Sequence, residues 1–274
     1  MLEILFASPK EARTIYTIFR SIRKEFLSEL QLINDELIKI SPKSWDVSLE
    51  QFVIPGMIEF ILEYKEHQLM VSMLKEDYYF VEEIEQQQIL QIASSIIEGE
   101  RTDIPNIQGL RHRDEVLKET LWQFLRPNLN FSFSSFQKFR LHQYNARLRE
   151  YVEVAIEEYK LEQEYQTFIQ SLRDYHNEQK SKLEVVSIVH KEGYVVYDAD
   201  EKRISEDQLK NYVDKSFIHQ HTMYVDSNLL APLVSISPKT ILVYTNNSLD
   251  GMIQTIQNIF QEKVSIHSLA EFTY

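Results

Sequence analysis

Three groups of residues in this chain have types and spacings that could support chemistry. His219-Gln220-His221 offers two imidazoles at alternate positions, which share a face on a strand and could ligate a metal, although no acid or third histidine is close in sequence. Asp174, His176 and Glu178 carry acid–base groups, but a spacing of two splits them around a helix and leaves only Asp174 and Glu178 on one face. A solvated helix surface is the better reading of that trio. Asp198, Asp200 and Glu201 follow a β-rich run and could bind a cation, yet a polar turn explains them equally well. None of the three is a catalytic signature, so no catalytic, metal or cofactor-binding residue is assigned from them.

The remaining composition removes several functional classes. The 5 glycines stand at 56, 99, 109, 193 and 251, too far apart for a dinucleotide fingerprint or a phosphate-binding loop. There is no Gly-x-Ser-x-Gly elbow and no His-Glu-x-x-His pair. With 0 cysteines, disulfides, zinc–thiolate sites, iron–sulfur clusters and thiol catalysis are all excluded. The formal net charge of -13 disfavours nucleic acid and anionic membranes as partners, except through a local basic face. No uncharged apolar window approaches the roughly 20 residues of a membrane span. The opening Met1 to Ala7 has an acid inside its apolar run and no basic region before it, unlike a secretory signal. A cytoplasmic protein is the expectation.

A local basic face does exist. From Lys138 to Arg149 stand Lys138, Arg140, Arg147 and Arg149 with no acid, whereas Glu150 to Glu164 holds six acids against Lys160. Lys138, Arg140, His142, Arg147 and Arg149, with Gln137, Gln143 and Asn145 among them, are the types that touch phosphates, base edges or a partner's carboxylates. This is the proposed contact surface, facing a protein partner or, as the alternative, nucleic acid.

The element that must position this surface runs from Phe131 to Gln179. Leu141, Tyr144, Leu148, Tyr151, Ala155 and Tyr159 recur at three and four, one helical stripe that Tyr165, Phe168, Leu172 and Tyr175 continue. Upstream, Leu2 to Ala7 reads as a strand, and Ser8-Pro9 with Glu11 starts a helix. The seam Ile15, Phe19, Ile22, Phe26, Leu30, Ile33, Leu37 predicts that this helix continues to near Ser41-Pro42. Trp45 to Ile54 alternates weakly, as a strand closed by Pro55-Gly56. Two or three helices fit Met57 to Glu98, with Ile84, Ile89, Ile92 and Ile96 as the later apolar stripe. Residues 99 to 114, which include Arg111-His112-Arg113, read as a long loop or boundary. A helix follows, ending at Arg126-Pro127, and then a turn over Asn128 to Ser135.

After Gln179 the period changes. Glu184 to His190 and Tyr194 to Tyr197 around Lys191-Glu192-Gly193 predict a hairpin, and Ser205 to Gln208 a capping box opening a helix that runs on through Phe217. Asp226 caps a further short helix. The end reads as strand (Ile241 to Tyr244), helix capped at Asn247-Ser248 and carrying Met252, Ile253, Ile256, Ile259 and Phe260, then strand (Val264 to Ile266), a unit that favours parallel pairing.

At the long helix the sequence resembles the YtxC-like family of endospore-forming bacteria. The resemblance rests on Phe136, Phe139-Arg140-Leu141, Tyr144, Leu148, Val152, Ala155, Glu164-Tyr165, Phe168-Ile169 and Leu172. Tyr79-Phe80, Glu85, Ile89-Leu90, Ile92-Ala93 and the closing strand-helix-strand unit support it. It implies a cytoplasmic protein that the family's naming links to sporulation, and it supplies no reaction and no site residues. The polar stretch Asp174 to Gln179 departs from the more apolar segment expected there. Ile266-His267-Ser268 stands where some relatives are expected to carry cysteine, so no thiol or metal role transfers.

The expected fold is therefore mixed α/β (α+β). A helix-rich middle with the long amphipathic helix lies between segments, N- and C-terminal, that form a small sheet. By element type the chain divides into 1–56, a β-α-β-like segment, 57–180, helical, and 181–274, α/β. The expected function is that of a sporulation-associated protein without catalytic activity or cofactor, working through contacts with an unknown protein. A nucleic-acid binder using residues 138–149 and an enzyme of unrecognised type are the alternatives.

Overall fold

The structure is a computed structural model that describes residues 1–101, 104, 112–213, 226 and 228–273. It has the α+β class expected, with helices dominating the middle of the chain. The expected sheet is resolved as two separate mixed sheets. The chain clusters into two compact units, residues 1–160 and 161–274. The segments drawn by element type do not coincide with these units, because the boundary falls inside the long helix.

In the first unit, β1 (Leu2–Leu5) is followed by α1 (Pro9–Ile22), where Ser8 Oγ accepts the Glu11 N–H and proline takes the first turn. The helix does not run on to Ser41. After Ile22 come a short 3₁₀ segment, β2 (Leu30–Ile33) and β3 (Leu37–Ile40), paired antiparallel. Asn34 and Asp35 both take positive φ, 50° and 59°, the backbone of a tight hairpin turn that asparagine and aspartate tolerate. The apolar seam at three and four spacing therefore hid a two-residue turn signal.

The strand expected over Trp45 to Ile54 is also replaced. Helix runs without interruption through α2 (Trp45–Ser48), a π segment (Leu49–Val53), α3 (Ile54–Phe60), a second π segment (Ile61–Lys65) and α4 (Glu66–Glu76). Pro55 sits inside it. Proline cannot donate an i→i−4 bond and its ring crowds that carbonyl, so the wider π turn directly before it lets the helix continue. Gly56 has a packing reason, since a Cβ there would stand 2.4 Å from the Phe19 ring and would push α1 and α3 apart.

Next come α5 (Glu83–Ile97), α6 (Arg113–Phe124), β4 (Leu129–Ser132) and α7 (Phe133–Arg140). Asn128 to Ser135 is thus no simple turn, because β4 pairs parallel with β1, Leu129 opposite Leu2 and Phe131 opposite Ile4. The first sheet has the order β2-β3-β1-β4. Leu2, Ile4, Ile38 and Ile40 from its strands are buried with Phe133, Phe136, Tyr144, Leu148 and Val152. Each such side chain contributes about 1.5–3 kcal/mol of apolar transfer. Of the stripe predicted for α5, Ile89 and Ile96 are buried and Ile92 partly so, but Ile84 is 72% exposed.

The long helix, α8 (His142–Glu178), has 37 residues. It is separate from α7, because Leu141 at φ -86° and ψ 19° breaks the helix between them. The predicted stripe Leu141, Tyr144, Leu148, Tyr151, Ala155 and Tyr159 is buried throughout.

The second unit contains the last turns of α8 and a sheet of order β7-β6-β5-β8-β9. β5 (Val185–His190) and β6 (Tyr194–Tyr197) form the predicted hairpin, and β7 (Arg203–Ile204) extends it. α9 (Glu206–Tyr212) opens with the predicted capping box but ends at Tyr212, with Val213 extended at ψ 126°; Phe217 lies outside the described residues. Asp226 Oδ1 accepts the Leu229 N–H at 2.7 Å just before α10 (Leu230–Ile236). β8 (Thr240–Tyr244), α11 (Gly251–Phe260) and β9 (Val264–His267) form the closing unit, with β8 parallel to both β5 and β9. Asp250, rather than Asn247-Ser248, caps α11, accepting from Met252 and Ile253 N–H at 3.0 and 3.3 Å.

Candidate functional site

The five residues of the proposed contact surface separate into two kinds. Lys138 and Arg140 lie on the exposed end of α7, and His142 is exposed at the start of α8. Lys138 Nζ lies 5.6 Å from the Phe139 ring centre, and the Arg140 guanidinium 5.6 Å from that of Phe124. Both cations lie exposed against an aromatic face. Arg147 and Arg149, in contrast, are partnered inside the chain. Arg147 pairs with Glu150 one turn on, with its side chain only 14% exposed, and Arg149 Nη2 stands 2.7 Å from Asp77 Oδ2. Asp77 raises the pKa of Arg149, first through that hydrogen bond.

The exposed corner contains a residue that sequence reasoning did not single out as a contact. Phe139, between Lys138 and Arg140, is 67% exposed, and Trp122 on α6 is 47% exposed. An apolar ring flanked by two cations is not explained by packing within this chain. Its signal was available: Phe139 falls off the Leu141–Tyr144–Leu148 stripe, so no buried face claims it. A second exposed apolar run, Tyr79, Val81 and Ile84, leads into α5.

Directly beneath the first turns of α8 is a polar cluster enclosed by the first unit. Tyr144, fully buried, donates its hydroxyl to Glu66 Oε2 at 2.5 Å, and Arg113 Nε lies 3.0 Å from the same oxygen. Burial pushes the Glu66 carboxyl up, more than Tyr144 and Arg113 pull it down. Tyr144 is raised as well, mainly by burial and then by Glu66, so it stays a phenol and a donor. Arg113 Nε makes the ionic contact without hydrogen-bond geometry. The cluster joins α4, α6 and α8. Of the tripeptide Arg111-His112-Arg113, Arg113 takes part, and Arg111 lies outside the described residues.

The weaker sequence candidates are placed as follows. His176 is 2% exposed, its Nε2 2.7 Å from Lys263 Nζ and its ring edge-on to Phe260, while Asp174 and Glu178 point to solvent. Burial, with the Lys263 charge second, lowers its pKa to about 4, so it is a neutral core histidine and no acid–base partner of those carboxylates. Asp198 Oδ1 accepts from the N–H groups of Asp200 and Lys202 at 2.9 and 3.0 Å, which makes it the organiser of a turn. His219 and His221 lie outside the described residues. Among the described residues no group of three or more His, Asp or Glu is placed to hold a metal ion.

The carboxyl ends of the parallel strands in the second sheet carry a constellation that no motif revealed. His190 Nδ1 is 3.0 Å from Thr245 Oγ1, and its Nε2 is 3.9 Å from Asp250 Oδ2. Tyr194 stacks on His190 with ring centres 4.7 Å apart and donates its hydroxyl to Asp250. A hydroxyl, an imidazole and a carboxylate in series can activate a nucleophile, but Thr245 is 5% exposed and its oxygen also accepts the Asn247 N–H at 2.9 Å. The group ties the β5–β6 hairpin to the loop before α11. The Tyr194 bond and the two capping N–H groups outweigh burial and hold the Asp250 carboxyl below its ordinary value.

A model of the YtxC-like family matches residues 51–265 of this sequence. The chain belongs to the YtxC-like family. It is 42% identical over 226 residues to the YtxC protein of Bacillus subtilis (strain 168), covering 82% of this chain and 79% of that relative. No solved structure matches. The residues matched to the YtxC-like family include α7, α8, the Glu66 cluster and the His190–Asp250 group. Among the described residues no helix is long and apolar enough to cross a membrane.

Proposed function

We propose that this member of the YtxC-like family is a cytoplasmic, sporulation-associated protein that works by protein contact rather than catalysis. The contact surface is the corner formed by Lys138, Arg140 and His142, with Phe139 at its centre. The observation that carries this reading is the 67% exposure of Phe139 between two cations that pair with no acid among the described residues. Arg147 is engaged with Glu150 within α8, and Arg149 with Asp77 ties α8 to the end of α4. A partner surface with carboxylates around a shallow apolar recess fits this corner, because it would bury the ring and pair the cations.

The test compares heat-resistant spore yield and partner capture in cells carrying the natural protein, a deletion, or a Lys138→Glu, Phe139→Ala, Arg140→Glu variant. All three substituted side chains are exposed, so circular dichroism should show an unchanged fold. Loss of spores and of capture in both altered strains is expected. A variant that sporulates and captures normally would remove the corner from the proposal, and a normal deletion strain would remove sporulation. If the captured species were nucleic acid, affinity would fall steeply with salt, and the fall would lessen in the variant.

A further inference from the structure

We propose that the second unit holds a binding site for a small organic cation with an apolar body, such as an arylalkyl or alkyl ammonium compound. The site is a groove of about 420 Å³ between α8, α10 and α11, walled by Leu161, Tyr165, Phe168, Leu230 and Met252. That volume lies in the range of small-molecule sites, which are mostly apolar with a few fixed polar groups.

The polar groups at this groove are of one sign. Glu164 and Asp226 line it. Among the described residues no lysine or arginine lines the groove, and neither Glu164 nor Asp226 is in an ion pair. A neutral ligand would leave these charges unanswered, and an anion would be repelled. An ammonium group, by contrast, gains the carboxylates and the face of the Tyr165 ring together.

The site is also held in shape before any ligand arrives. Asn258 Nδ2 donates to Tyr165 Oη at 3.1 Å, Thr255 Oγ1 lies 3.5 Å from the same oxygen, and Arg173 holds the Asn258 carbonyl at 2.8 Å. Asp226 is fixed by accepting the N–H groups of Asn228 and Leu229 at 3.1 and 2.7 Å. Fixed polar groups lower the ordering cost that would otherwise reduce affinity.

The probes are 2-phenylethylamine, protonated at neutral pH, and its uncharged analogue 2-phenylethanol, titrated into the full chain and followed by amide chemical shifts. The amine is expected to bind about tenfold tighter than the alcohol, the gain of a cation answered by two carboxylates and a ring. Its shifts should centre on Tyr165, Gly251, Met252 and Thr255. In Glu164→Gln with Asp226→Asn, which keeps a side chain able to cap α10, the amine should fall to the affinity of the alcohol. The single Glu164→Gln change, on an exposed face of α8, gives a partial fall in a protein whose fold it does not touch. Equal binding of amine and alcohol, amine binding unchanged in these variants, shifts centred elsewhere, or no binding of either probe would each overturn the site.

Discussion

Glu66 in the first unit and Asp250 in the second each accept a tyrosine hydroxyl, yet their surroundings drive their titrations in opposite directions. Glu66 is 7% exposed and receives Tyr144 and Arg113, but the loss of water outweighs both and its pKa rises. Asp250 keeps a quarter of its side chain in solvent, receives Tyr194 and two backbone N–H groups, and its pKa falls. A hydrogen bond from tyrosine is therefore no guide by itself to the ionisation of a carboxylate. Burial and the number of donors decide the sign.

Removing each carboxylate should separate the two clusters most clearly. Glu66→Ala leaves Arg113 and Tyr144 without their acceptor in a closed space, and about 3–5 kcal/mol of stability should be lost in urea unfolding. A loss below about 1 kcal/mol would show that the cluster is hydrated. Tyr144→Phe keeps the ring and deletes the donor to a charged group, for which about 1.5–3 kcal/mol is expected in the same assay. Asp250→Ala removes a helix cap and the acceptor of Tyr194 at a partly exposed site, a loss of about 0.5–2 kcal/mol. Asp250→Asn, which can still cap, should cost a few tenths and would erase the contrast if it cost as much as alanine.

The smallest effect is the sharpest in sign. Because the folded pKa of Glu66 lies above 4.5, its favourable contribution is complete below that pH and is lost as pH rises through the folded value. The folded pKa of Asp250 lies below 3.8, so its contribution is complete above that pH and is lost as pH falls through the folded value. Melting temperatures followed from pH 7 to pH 3 should therefore differ from the natural protein with opposite slopes in Glu66→Gln and Asp250→Asn. Slopes of the same sign would break the comparison.

What the sequence made legible follows from how local each signal is. The hairpin around Gly193, the capping box at Ser205 and the parallel β8-α11-β9 unit depend on neighbouring residues, and each is present. The buried stripe of α8 was readable because the period persists for many turns. The β2–β3 turn was not, since Leu30, Ile33 and Leu37 satisfy a helical spacing although Leu30 and Ile33 lie on opposite faces of β2, and the Asn34-Asp35 turn that separates the strands was overlooked. β4 was missed because its pairing partner, β1, lies over a hundred residues away in the chain. The cation partner of Asp77 is of the same kind: a charge run shows where the cations are, but not which of them an acid over seventy residues away has already engaged. Phe139 could have been found as an aromatic off the buried stripe, whereas the groove beside Tyr165 is assembled from three helices and has no linear trace.

The two π segments on either side of α3 bear on how the length of this chain can vary. A π turn closes one residue later than an α turn, so each segment amounts to a single inserted residue absorbed without ending the helix. Loss of one residue within Leu49–Val53 or Ile61–Lys65 would return that stretch to α geometry and leave the helices beyond it facing as before. The same deletion inside α3 or α4 would turn every later side chain by about 100°. Single-residue gaps between homologous sequences in this region are therefore expected at the two π turns, and Pro55 gives the first of them a reason to keep its extra residue.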